Sequence, residues 1–146
     1  MILKDNEIIT CSAVDDNLPK VQMKLNELME KNEAPMKALN MSAIALEEMF
    51  INVCHYAYIG NTGDVTTEIQ IYESDDEEES GKCVRITLTD NGIPYDPLAK
   101  DDPDVTLSAE ERGLGGLGIY MVKKSMDSVL YEYMNGKNIF TMEKKF

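Results

Sequence analysis

Glu48 and Asn52 stand four residues apart in the run Glu47-Glu48-Met49-Phe50-Ile51-Asn52. On a helix that spacing puts a carboxylate and an amide on one face. Ile44, Met49, Phe50, Ile51 and Val53 surround them, so the helix is expected to be largely buried. Buried polar groups need partners, because an unpaired one costs about 1–3 kcal/mol and a charge more. A hard cation with its water would satisfy both side chains. An exposed polar stripe on an amphipathic helix is the alternative.

Two further segments carry chemistry. Asp90-Asn91-Gly92 follows a strand-like run, where it is either ordinary turn chemistry or a carboxylate held at a strand end to accept a hydrogen bond from an amine. Gly113, Gly115, Gly116 and Gly118 precede a helix-like run. Glycines there turn backbone N–H groups toward a ligand, and a helix N-terminus favours an anion. A plain hinge is the competing reading. The glycines also fit the dinucleotide fingerprint, but that pattern wants a strand immediately before it, and residues 101–112 form a charged stretch. Carboxylate plus amide, turn Asp and glycine cradle together suit a magnesium nucleotide.

The elements that would position these groups follow from periodicity. Residues 7–13 read as a strand. Asp16 or Asn17 reads as an N-cap, with Pro19 in the first turn and Leu18, Val21, Leu25, Leu28 and Met29 at helical spacing to about residue 32. A break at 33–35 precedes a helix over 37–57. Strands follow at 65–72 and 83–89, joined by an acidic loop; then a long polar loop, a helix over 116–126, and a terminal hairpin turning at Asn135-Gly136. This order predicts an α+β domain spanning 1–146. It is a two-layer sandwich with a mixed, mainly antiparallel sheet and three helices on one face.

Composition narrows the function. The net charge of −13 disfavours direct nucleic-acid binding. The acidic run 75–79 reads as a solvated turn. Three cysteines and one histidine lack any zinc spacing and favour reduced thiols in a cytoplasm. No stretch approaches the ~20 apolar residues of a membrane span, and the first residues lack signal-peptide anatomy.

In order and spacing, the three segments resemble the N box and the two glycine boxes of the GHKL ATPase superfamily. Within it the chain looks most like the stand-alone anti-sigma factor serine/threonine kinases, over essentially its whole length. The resemblance implies the Bergerat-type fold and use of ATP with Mg2+. It makes Glu48 the general base toward a serine or threonine hydroxyl, Asn52 the magnesium ligand and Asp90 the reader of the adenine amino group. Gly92 would let adenine approach the backbone, and Gly115, Gly116 and Gly118 would bind phosphate. Arg112 would reach the terminal phosphate from the end of a nucleotide lid over 95–112. Implied partners are an anti-anti-sigma (STAS-type) protein and a sigma factor, with a homodimer suggested. The alternative is a nucleotide-gated switch with little or no kinase activity. A histidine-kinase fragment is disfavoured, since no phospho-acceptor helix precedes the strand.

The chain departs from the family pattern at three places. Pro94 replaces the second glycine of the first glycine box, which stiffens the hinge. Tyr56 stands where an N-box histidine is usual; the neighbouring His55 is read as structural. Gly136-Lys137-Asn138 alters the C-terminal Gly-Thr pattern, and a contact of Thr141 with nucleotide is left open.

Overall fold

The computed structural model describes residues 1–78, 80–99 and 117–146, with the side chain of Leu117 left aside. Five strands form one sheet: β1 (Ile2–Ser12), β2 (Asp64–Glu73), β3 (Lys82–Asp90), β4 (Ser128–Met134) and β5 (Lys137–Lys145). Their order is β1-β2-β3-β5-β4, and each of the four pairings is antiparallel. The expected mixed sheet thus narrows to an antiparallel one among the described strands. Among the described residues three α-helices, α1 (Leu18–Lys31), α2 (Met36–Tyr56) and α3 (Leu117–Ser125), cover one face.

Strand alternation decides which side chains meet the helices. Val65, Ile69 and Ile71 of β2, Val84, Ile86 and Leu88 of β3, and Phe140 and Met142 of β5 are buried beneath them. From the other layer come Val21, Leu25 and Met29 of α1, Leu46, Met49 and Phe50 of α2, and Val122 of α3. Each such side chain, fully buried, contributes about 1.5–3 kcal/mol. Ile44, counted among the apolar residues that bury α2, is instead 54% exposed; burial of that helix rests on its other stripe.

Helix ends are set by local chemistry. After α1 the chain makes a Schellman turn: Ala34 N–H donates to the Met29 carbonyl at 2.9 Å and Glu33 N–H to that of Glu30 at 3.0 Å. Glu33 takes φ 61° there, without glycine. Pro35 then opens α2. Asn17 occupies the N-cap position of α1, but its side chain caps nothing; its amide donates to the Ser12 carbonyl at 2.8 Å. The terminal hairpin turns through Asn135 and Gly136 at φ 55° and 77°, as a type I′ turn requires.

Candidate nucleotide site

The site lies between the last turns of α2 and the neighbouring strands β3, β5 and β4. Ala57 follows α2, and its free carbonyl accepts Ile93 N–H at 3.0 Å, which satisfies one of the orphan acceptors of a helix C-terminus. That bond draws the 91–93 turn against the helix. Gly92 is the consequence: a Cβ there would sit 2.2 Å from the Ala57 oxygen. Glycine is thus required by the packing of turn on helix.

Tyr58 fastens the same turn from the other side. Its hydroxyl donates to the Asp64 carbonyl at 2.6 Å and accepts Asn91 N–H at 2.8 Å. Burial pushes this phenol above its ordinary value, helped by the nearby Asp90 and Asp64 charges, so it stays a donor through the neutral range.

Asp90, last residue of β3, is 5% exposed. Its Oδ1 accepts Gly92 N–H at 2.8 Å and Asn138 Nδ2–H at 2.9 Å. Oδ2 accepts no hydrogen bond among those of the described residues. Asp90 and Asn138 line a pocket whose walls are Met49, Val53, Leu88 and Phe140, with Asn52 at one edge. An acceptor in an apolar pocket selects a ligand with a matching N–H donor.

Tyr95 and Pro97 complete the lining of this pocket. Tyr95 N–H is shared between Asn138 Oδ1 at 3.1 Å and the Tyr131 hydroxyl at 3.2 Å. Its ring stacks on Tyr56, centroids 5.5 Å apart. About 30 Å³ of free space remains inside, the scale of an ordered water.

Glu48 and Asn52 share a face of α2, as their spacing requires, and both are half-buried. Asn52 lines the pocket; its Nδ2 makes a contact of 4.0 Å with Met49 Sδ, too weak to hold the amide. Glu48 reaches the N-terminus of α3, where a Cβ on Gly118 would lie 2.2 Å from its Oε2. So α2 and α3 bring Glu48 and Gly118 together, while Asn52 and Asp90 meet in the pocket. Arg112, Gly115 and Gly116 lie outside the described residues, as do 100–112 of the expected lid.

Sequence reasoning missed Asn138, Tyr131, Tyr95 and Tyr58. For Asn138 a signal existed: it alternates with Phe140 and Met142, which places all three on the helix-covered face. The same parity puts Thr141 on the opposite face, paired with Thr87 and away from the pocket. His55 Nε2 lies 3.2 Å from Asp15 Oδ2, on the surface. Beside it, the Cys54 thiol is pushed up to about 12, by burial first and the Asp15 charge second, so it is a protonated packing group.

The residues present fit a magnesium nucleotide. Asp90 offers an acceptor in an apolar slot, and Asn52 an oxygen with no strong partner of its amide group. Among the described residues no three His, Cys, Asp or Glu side chains gather into a metal site. A magnesium ion held by one amide and by phosphates needs no such cluster.

This fold and pocket define a class. The family model described as the histidine kinase-like ATPase domain matches residues 11–144, and the chain belongs to that family. Its relatives include the serine-protein kinase RsbW of Listeria monocytogenes serovar 1/2a (strain ATCC BAA-679 / EGD-e), 26% identical over 123 residues, covering 81% of this chain and 73% of the relative. The serine-protein kinase RsbW of Listeria innocua serovar 6a (strain ATCC BAA-680 / CLIP 11262) is 25% identical over the same length, with the same coverage. Among the described residues no helix is long and apolar enough to cross a membrane.

Proposed function

We propose that this chain binds ATP with Mg2+ and transfers the terminal phosphoryl group to a serine or threonine of a protein partner. The observation that carries the reading is the Glu48 carboxylate at the N-terminus of α3, on the face of α2 that also presents Asn52 to the Asp90 pocket. A bare nucleotide-binding module needs Asp90 and Asn52; it has no use for a carboxylate at the phosphate end.

In this reading Asp90 Oδ2 accepts the adenine amino group and the apolar walls take the ring. Asn52 Oδ1 holds the magnesium, which when bound neutralises phosphate charge. Gly115, Gly116 and Gly118 supply close-approaching backbone to the phosphates, and Arg112 a positive charge in a chain of net charge −13. Glu48 takes the proton of the acceptor hydroxyl as its oxygen bonds to the terminal phosphorus; the electron pair of the broken P–O bond leaves on ADP. The similarity to serine-protein kinases supports a serine of a protein as the phosphoryl acceptor. The family resemblance of the sequence extends the proposal to an anti-anti-sigma protein of STAS type as that acceptor, a sigma factor as the sequestered partner, and a homodimer in the cytoplasm as the working unit.

Titration calorimetry with ATP and Mg2+ tests the first half. Saturable binding is expected, together with a raised melting temperature, since a ligand of the native state stabilises by mass action; no binding would sink the proposal. Radiolabelled ATP with the STAS-type protein encoded nearest this chain tests the second. Binding without transfer would make the protein a nucleotide-gated switch instead.

A further inference from the structure

Asn138 is 6% exposed and uses the full capacity of its amide. Its Nδ2 donates to Asp90 Oδ1 at 2.9 Å and to the Ile93 carbonyl at 2.8 Å. Its Oδ1 accepts Tyr95 N–H at 3.1 Å and the Tyr131 hydroxyl. Only one orientation of the amide works. Flipped, its NH2 would face the Tyr95 N–H, and its oxygen would face a carbonyl and a carboxylate. The Tyr95 N–H, which can only donate, and the Ile93 carbonyl, which can only accept, fix the choice, and the Tyr131 hydroxyl adds a second donor to Oδ1.

This locked amide determines what Asp90 can do. With Gly92 N–H, it fills Oδ1 and pins the plane of the carboxylate. Oδ2 is then left as the acceptor turned to an apolar pocket. Without Asn138, Oδ1 would have one donor fewer, and the carboxylate could rotate or take water.

We propose that Asn138 and Tyr131 are the positioning pair that aims Asp90 Oδ2 at the 6-amino group of a purine, so that base selection belongs to the whole network. The inference rests on the ATP reading above. It adds that preference for an amino-bearing base is lost when the amide is lost, even with Asp90 intact. A site built around a hydrogen bond rejects the analogue lacking that donor.

The test compares binding of ATP and of purine riboside 5′-triphosphate, which lacks only the 6-amino group, each with Mg2+. Wild-type protein should favour ATP by about tenfold or more, the scale of one hydrogen bond to a charged group. Asn138→Ala should bring ATP down about tenfold, to near the level of the analogue, whose own affinity should change less than about threefold. Tyr131→Phe keeps the amide and removes one of its four partners, so ATP should weaken about two- to fivefold. Thermal melts establish which variants are folded at the assay temperature. If Asn138→Ala does not fold, Tyr131→Phe alone decides. An unchanged ratio of the two affinities in the folded variants would overturn the inference, as would a wild type that binds both equally. A wild type that binds neither would instead remove the ATP reading.

Discussion

Asp90 and Glu48 are the two carboxylates of the candidate site, and their surroundings differ. Asp90 is almost wholly buried at a strand end, with Oδ1 held by a backbone N–H and a four-bonded amide. The turn after it is tied to α2 through Ile93 and to β2 through Tyr58. Glu48 stands half-buried on α2, its far end against Gly118, with the loosely held Asn52 one turn away. The Asp90 carboxylate and its turn are therefore fixed before a ligand arrives, while the pocket beside them, with about 30 Å³ free, must widen to admit a base. The phosphate end keeps adjustable groups throughout. The division suits phosphoryl transfer. An aromatic base is recognised through one or two fixed polar contacts, but the phosphates, the metal and the acceptor hydroxyl must be gathered as they bind.

The comparison fails most visibly if Glu48 proves to be part of the rigid frame. Glu48→Gln keeps shape and removes the base. Phosphoryl transfer should fall about 10²–10⁴-fold while nucleotide affinity and melting temperature stay near wild type. Single-turnover transfer beside calorimetry reads both. Unchanged transfer would show another group taking the proton; a large loss of stability would show that the phosphate end is as constrained as the base end.

Asp90→Ala should do the reverse. It removes the amine acceptor, so ATP should weaken by roughly 10–100-fold. It also strands the Asn138 amide and the Gly92 N–H, so stability should drop by about 1–3 kcal/mol. Denaturant melts and calorimetry on one preparation check the two together. Full stability would mean that the network is not holding the turn.

Two glycines sharpen the contrast. Gly92→Ala drives a Cβ to 2.2 Å from the Ala57 carbonyl, backbone against backbone, and should destabilise by about 1–3 kcal/mol. Gly118→Ala meets only the tip of Glu48, a flexible side chain that can swing aside. Its stability should hold or rise slightly, alanine being the better helix former, while transfer falls because the carboxylate is displaced. Equal melting temperatures for the two variants would contradict the division.

Much of this was legible in the sequence because the informative residues sit where type and spacing say the same thing. Glu48 and Asn52 share a helix face, Asn135-Gly136 dictates a hairpin, and the order of the elements gives the two layers. The legible part ended where a role depends on a long-range partner. Gly92 was expected to make room for a base, and the structure supplies a nearer reason in the Ala57 carbonyl, 35 residues earlier in the chain. The start of β1 was missed because Lys4, Asp5 and Asn6 look polar; on an edge strand with one open face such residues are tolerated, and a bulge falls between Leu3 and Asp5. Tyrosines gave no signal, since a ring with a hydroxyl suits core, surface and hydrogen-bonded network alike. Asn138 is the instructive case: its alternation with Phe140 and Met142 marked it as inward-facing, but an inward asparagine declares a purpose only once its four partners are known.

The smallest effect is expected at Tyr58, and it tests how far the rigidity of the base end extends. The ring lies beneath the turn region: a Cβ on Gly63 would fall 2.2 Å from its Cε1, so phenylalanine keeps the same packing. What Tyr58→Phe removes is the hydroxyl, with its bonds to Asp64 O and Asn91 N. Both backbone groups lie near the surface and can turn to water, which limits the cost to about 0.5–1.5 kcal/mol. The Asp90 carboxylate keeps its bonds to Gly92 and Asn138, so ATP affinity should fall no more than about threefold. Amide exchange should quicken at Asn91, whose N–H loses its acceptor, and not at Ile93, whose N–H stays on the Ala57 carbonyl. Faster exchange at both would mean that the tyrosine, rather than the helix end, fixes the turn, and the rigid part of the site would then begin at Tyr58.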